Sequence, residues 1–360
     1  MSRITAVHPV VPDHRYPQDE LTRVFADVCL GPDGRHQLLS RLHASAQVAY
    51  RHTALPLERY RDLGDFGERN DAFIEAAVRL GAEAVAGALD DCGLSPDDVD
   101  LIASTTVTGV AVPSIEARVA PVAGLRPDVR RMPLLGLGCM GGAGGVARVH
   151  DYLLGHPRDV AVLLSVELCS LTLQRDDTSV AHLVASGLFG DGAAAVVMVG
   201  DEHPLAADEA ERDGGLGPWV VDSRSHLYPD TERAMGWDVG AGGLRIVLGP
   251  EVPALVHEYL GDDVRGFLGD HDLTVGDVET WVSHPGGPKV IEAIESALEL
   301  PPDALELTWR SLAEVGNLSS ASVLHVLHDT IAKHCPARGS AGVLMAMGPG
   351  FCAELVLLRW

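Results

Sequence analysis

Within residues 71–89 the apolar side chains Phe73, Ala77, Leu80, Ala84 and Leu89 recur at helical spacing and share one face. Gly93 follows as a stop, because glycine takes the left-handed cap conformation without a steric penalty. Elsewhere the pattern changes to short, unbroken apolar runs bounded by charge or glycine. Residues 100–106, 160–166 and 193–199 are of this kind, as are 279–283, 340–347 and 353–358. Runs without polar alternation predict strands buried on both faces. Between them, residues 146–154, 287–298 and 318–333 read as helices, and Pro288 suits a first turn. Strands that alternate with helices in this way predict an α/β fold with covered sheets.

The pattern also repeats. Phe189-Gly190-Asp191-Gly192 leads into the strand AAAVVMV, and Gly348-Pro349-Gly350-Phe351 leads into CAELVLL. Each is a glycine turn before a terminal strand. The polar, acidic stretch 201–217 (DEHPLAADEAERDGGLG) is the best boundary between two units. The expected organisation is one duplicated α/β architecture with halves 1–205 and 206–360, a size range ordinary for domains.

Charge narrows the partners. The formal net charge is −24, which disfavours nucleic acid and anionic membrane surfaces. Residues 1–20 lack the apolar core of a signal peptide. There is no run of about 20 lipid-compatible residues. The six cysteines are scattered, with no CxxC pair and no zinc-like spacing, so a reducing, cytoplasmic setting is expected and no metal.

Cys139 lies in LGCMGGAGG, just before the helix over 146–154. The glycines permit a sharp turn, and a helix N-terminus favours a thiolate, so Cys139 is a candidate nucleophile. A small cysteine packed into a tight turn is the plainer alternative. His284, in SHPGGP, sits where a strand gives way to a helix, a common place for catalytic side chains. Asn317 precedes Leu318-Ser319-Ser320 and could equally be a helix cap. Together they form a Cys/His/Asn set, in which a thiolate–imidazolium pair activates the nucleophile and an amide binds developing negative charge. Papain-like hydrolases share this order, so the order alone leaves the reaction open.

Six stretches together are more specific: LGCMGGAGG, SVELCSLTLQ, GLFGDGAAA, SHPGGPKV, EVGNLSSASVL and MGPGF. Through them the chain resembles the type III polyketide synthases, the chalcone and stilbene synthase-like family of the thiolase superfamily. MGWDVGAGGLRIVL and ELCSLTLQ look most like bacterial alkylpyrone and alkylresorcinol synthases. The resemblance implies a thiolase fold, two pseudo-duplicated halves in a five-layer α-β-α-β-α arrangement. It implies a homodimer, with Val112 at the position that reaches the partner's pocket. No cofactor is implied beyond CoA thioesters as substrates.

By the same resemblance, Cys139 would hold the acyl chain from an acyl-CoA starter. His284 and Asn317 would bind malonyl-CoA and stabilise the enolate left by decarboxylation. Phe189 would gate the CoA tunnel. Thr106, Cys169, Thr172, Trp237, Ile246 and Ser319 would line the pocket, and Gly348, Pro349 and Gly350 would shape it. Ile246 and Cys169 replace the aromatic and threonine usual in plant enzymes, and Ala346-Met347 stands where Gly-Phe is usual. Arg41 and Lys289 would contact CoA, while Leu38 and Ser45 stand where basic contacts are usual. The expected activity is iterative acyl transfer ending in an alkylpyrone or alkylresorcinol. The alternatives are a single-condensation ketoacyl synthase using carrier protein, a non-catalytic acyl-CoA-binding relative, and a cysteine hydrolase.

Overall fold

A computed structural model describes residues 1–30, 34–175, 177–207 and 217–360. Most of the boundary stretch expected at 201–217 lies outside the described residues. The predicted helix over 71–89 extends to Phe66–Cys92. The Asp65 carboxylate accepts the Glu68 N–H at 3.1 Å, capping one end, and Gly93 closes the other at φ 70°.

The strands are β1 (Ser2–Val10), β2 (His14–Pro17), β3 (Tyr50–Thr53), β4 (Leu101–Thr106), β5 (Arg130–Leu135), β6 (Val160–Leu168) and β7 (Asp191–Gly200). The second half adds β8 (Trp219–Leu227), β9 (Met235–Gly240), β10 (Gly243–Leu248), β11 (Val278–Ser283), β12 (Ala341–Gly348) and β13 (Cys352–Arg359). Each apolar run predicted as a strand is one.

The first half orders its strands β5-β4-β6-β7-β1, and the second β8-β13-β12-β11. In each, parallel pairs on one side (β5-β4-β6 and β11-β12) give way to antiparallel pairs. Strands β1 and β8 touch only through Ser2 and Arg3 opposite Val220 and Trp219, so the two sheets join at one corner.

Three apolar clusters make the layers. The Phe66–Cys92 helix covers the outer face of the first sheet. Helices Val252–Gly269 and Pro288–Leu298 cover the outer face of the second. Between the sheets lie Gly141–Gly155 and Ser322–Asp329, whose side chains share one fully buried cluster with both sheets. This is the five-layer thiolase arrangement. No helix among the described residues is long and apolar enough to cross a membrane.

The helix expected over 318–333 is not continuous. A short 3-10 turn (Ser319–Ala321) precedes the helix Ser322–Asp329, and a π-type turn (Thr330–His334) ends it. Side chains take the first backbone donors. The Asn317 Oδ1 accepts the Ser319 N–H at 2.8 Å and Ser322 Oγ accepts the Leu318 N–H at 2.6 Å. Ser319 is held at φ 50°, outside helical geometry.

The two central helices approach through glycine. A Cβ on Gly142 would stand 2.3 Å from the Ser320 carbonyl oxygen, whereas one on Gly144 would make ordinary contacts at 3.4 Å or more. Gly142→Ala is therefore expected to destabilise the fold by ~1–3 kcal/mol or more through overpacking. Gly144→Ala should be neutral or stabilising by up to about 1 kcal/mol, because alanine loses less entropy in a helix. Denaturant unfolding of the two variants checks the contrast.

Candidate active site

From β5 the chain turns through Gly136 (φ 90°) and Gly138 (φ 55°) into a 3-10 turn, Gly138–Met140, that feeds the helix Gly141–Gly155. Cys139 rides on this turn, partly exposed. A Cβ on Gly138 would fall 2.4 Å from Pro349 Cδ, and one on Gly348 would fall 2.6 Å from the Leu137 carbonyl oxygen. The Gly348-Pro349-Gly350 turn thus seats directly against the cysteine turn, as the two similar glycine turns of the sequence could not show.

His284 follows the last residue of β11, and its backbone N–H donates to Met345 O on β12 at 3.0 Å. Asn317 is fixed by its own backbone: its N–H donates to Leu188 O at 2.9 Å, and its carbonyl accepts the Gly190 N–H at 2.9 Å. This bridge brings Phe189 alongside Asn317. A chain of contacts then ties the set together. Cys139 Sγ lies 3.7 Å from Ser319 Oγ. Ser319 N–H donates to Asn317 Oδ1, and Asn317 Nδ2 reaches toward Gly286 O at 3.4 Å. Gly286 N–H donates to His284 O at 2.9 Å.

Burial dominates the electrostatics. It pushes the Cys139 thiol up to about 12, with the Ser319 hydrogen bond opposing and the Glu167 charge adding. It pushes the His284 imidazole down to about 3. Burial therefore outweighs the lowering of the thiol expected from the helix N-terminus, and it favours a neutral thiol at Cys139 and a neutral imidazole at His284. Neither ring nitrogen of His284, 2% exposed, has a hydrogen-bond partner, and neither His284 nor Asn317 lines the cavities around Cys139. Cys169 lies deeper. Burial, then the charges of Glu167 and Asp191, hold its thiol well above the ordinary value.

Glu167, not singled out by the sequence pattern, lies beside the turn that carries Ser319 and Ser320. It is fully buried in β6. Its Oε1 accepts Ser320 Oγ at 2.5 Å, and its Oε2 accepts Thr108 Oγ1, Val107 N and Thr106 Oγ1 at 2.8–3.2 Å. Burial raises its carboxyl. A carboxylate inside an otherwise apolar strand was the available signal, since burying one without donors is expensive.

Beside Cys139 lies a cavity of about 40 Å³ walled by Trp237, Ile246, Phe189, Cys169 and Met235, with Ser319 and Pro349 on the cysteine side. Hairpin β9–β10 supplies this wall, pairing Trp237 directly opposite Ile246. Thr172 lines a neighbouring cavity instead. Thr106 lines neither cavity; its hydroxyl is turned to Glu167. Gly348 and Gly350 also line neither; their role is the turn itself. Arg41, in the helix His36–Ser45, and Lys289, in the first turn of Pro288–Leu298, are exposed and line neither cavity. Val112 is 90% exposed. Among the described residues no group of three or more His, Cys, Asp and Glu side chains is placed to hold a metal ion.

Comparison with known proteins places the chain in a family. Residues 2–202 match the family model of the chalcone and stilbene synthases, N-terminal domain, and residues 220–360 match that of the C-terminal domain. A 1,3,6,8-tetrahydroxynaphthalene synthase of Streptomyces peucetius is 56% identical over 99% of this chain and 93% of its own length. An alpha-pyrone synthesis polyketide synthase-like protein of Mycobacterium tuberculosis is 28% identical over 94% and 86%. The solved tetrahydroxynaphthalene synthase of Streptomyces coelicolor, described as a bacterial type III polyketide synthase, superposes with a TM-score of 0.90, 29% identity and 99% coverage of both chains. The chain belongs to the chalcone and stilbene synthase family, and it is an acyltransferase of the type III polyketide synthase kind.

Proposed function

We propose that this enzyme uses malonyl-CoA as both starter and extender and folds the chain into a polyhydroxynaphthalene. The observation that carries this reading is the 56% identity, over 99% of this chain, to a protein named for 1,3,6,8-tetrahydroxynaphthalene. The narrow cavity of about 40 Å³ beside Cys139 suits a short acyl group as the starter. Hydroxyls on alternate carbons are the pattern that two-carbon ketide units leave. The alkylpyrone or alkylresorcinol expected from the sequence is the second reading. It is supported by the apolar cavity wall and the more distant pyrone-synthase-like relative.

In the proposed cycle, Cys139 gives its proton to His284 and takes the acyl group, and CoA leaves as a thiol carrying that proton, which returns His284 to its neutral form. Malonyl-CoA then binds with its thioester carbonyl between His284 and Asn317. The bond to its carboxylate breaks, carbon dioxide leaves, and the electron pair remains as an enolate. The enolate carbon attacks the thioester carbonyl on Cys139, and the cysteine sulfur leaves as thiolate. This needs donors at the enolate oxygen rather than a general base. A neutral imidazole without protein partners and the Asn317 amide are such donors. At the surface, Arg41 and Lys289 would meet the CoA phosphates. A homodimer would cover Val112 and the outer edge of β5, where Leu135 is 73% exposed.

With malonyl-CoA alone, the purified protein should release a product with the mass of a tetrahydroxynaphthalene, and Cys139→Ala should release none. Condensation only when malonyl-carrier protein is supplied would overturn the reading. Trp237→Ala should raise the yield primed by hexanoyl-CoA roughly tenfold or more, since fit to within a methylene is worth about that in discrimination. His284→Ala should slow iodoacetamide alkylation of Cys139 at neutral pH at least about tenfold, because the buried thiol loses its proton acceptor. An unchanged alkylation rate would remove His284 from that role.

A further inference from the structure

Behind the wall of Cys169, Phe189, Trp237 and Ile246 lies a second cavity of about 30 Å³, lined also by Arg51 and His182. The two cavities share that wall, but their chemistry differs. The first is almost wholly apolar, while the second holds a buried cation. Arg51 is 2% exposed and His182 is 4% exposed. Arg51 Nε donates to Gln18 Oε1 at 3.0 Å, and Nη1 donates to Phe189 O at 2.8 Å. Its Nη2 has no partner, and neither does His182 Nε2.

Burial lowers the Arg51 guanidinium only to about 10, so it is charged at neutral pH. Asp191 eases that charge through space, but no carboxylate among the described residues lies within ion-pairing distance of it. Asp191 is itself occupied by Ala54 N–H at 2.6 Å, Ser170 N–H at 2.8 Å and the Ser170 hydroxyl. Asp177 and Arg245 are the charged groups that face His182. An unpaired buried guanidinium nitrogen and an orphaned imidazole nitrogen lining one small cavity call for an anionic guest. The cavity is too small for a phosphate chain, and its shared lining places it next to the cavity that holds Cys139, so an acyl chain on Cys139 is the anionic guest nearest to it.

We propose that Arg51 and His182 form a subsite for the distal carboxylate of a malonyl-primed chain held on Cys139. This rests on the malonyl-starter reading above and adds the source of its selectivity. The two ends of the pocket then act oppositely on carboxylates. At His284 and Asn317 the donors meet the thioester carbonyl and favour loss of carbon dioxide. At Arg51 the charge stabilises the carboxylate itself and so protects the starter from that loss until the chain cyclises, when the carboxylate leaves as carbon dioxide to give the ten-carbon product.

The test is a competition between malonyl-CoA and 3-methylbutyryl-CoA, which carries an isopropyl group where malonyl carries its carboxylate. Mass spectrometry reads the ratio of malonyl-primed to 3-methylbutyryl-primed product. In Arg51→Met and His182→Leu the ratio should fall at least about tenfold, as expected for removing a hydrogen bond to a charged group. Arg51→Lys should recover part of it. His182 Nε2 bonds nothing in the protein, so His182→Leu decides the matter if Arg51→Met does not fold. An unchanged ratio in folded variants, with melting temperatures near that of the wild type, overturns the subsite while leaving the product reading intact. Failure of the wild type to self-prime on malonyl-CoA alone overturns the product reading, and the subsite with it.

Discussion

The site depends on one contact: backbone against backbone where the two halves meet. Gly142, at the start of one central helix, lies where any side chain would strike the Ser320 carbonyl. Ser320 sits in the turn that opens the other central helix. That approach places Cys139 from the first half within reach of Ser319 from the second. The pseudo-duplication explains why it happens there. Each half sends a helix into the shared middle layer, and the turns before those helices face each other. The proposed catalytic set draws on both halves because of this packing.

The second constraint is dielectric. Cys139 and His284 are each pushed toward their neutral forms by burial. A low-dielectric pocket of this kind strengthens every donor aimed at developing charge. It also makes each uncompensated charge expensive, so buried carboxylates such as Glu167 and Asp191 are surrounded by hydroxyl and amide donors. Arg51 departs from that rule, since one of its nitrogens faces a cavity with nothing to bind.

Much of this was legible in the sequence, and the reason is local. Strands β6, β7 and β12 are buried on both faces, and their apolar runs announce it without reference to the rest of the chain. The cysteine turn could be read because glycine at positive φ, as at Gly138, is a local requirement. Cys139, His284 and Asn317 read as a set in the sequence, and Ser319 and Gly286 link the three turns that carry them. What could not be read depends on partners far along the chain. The break before Ser322 arises from side chains that capture backbone donors. Arg51 and His182, more than a hundred residues apart, meet only through the packing around Phe189. Thr106 was placed on the pocket wall, yet its hydroxyl is spent on Glu167, a partner sixty-one residues away.

The central claim is that Cys139 takes a short malonyl group as its starter. Intact-protein mass spectrometry after brief mixing with single acyl-CoA species tests it most directly. The account predicts an adduct from malonyl-CoA, mapped to the Cys139 peptide, and little or none from a long-chain acyl-CoA. Equal acylation by the long chain, or an adduct on a cysteine other than Cys139, would contradict it.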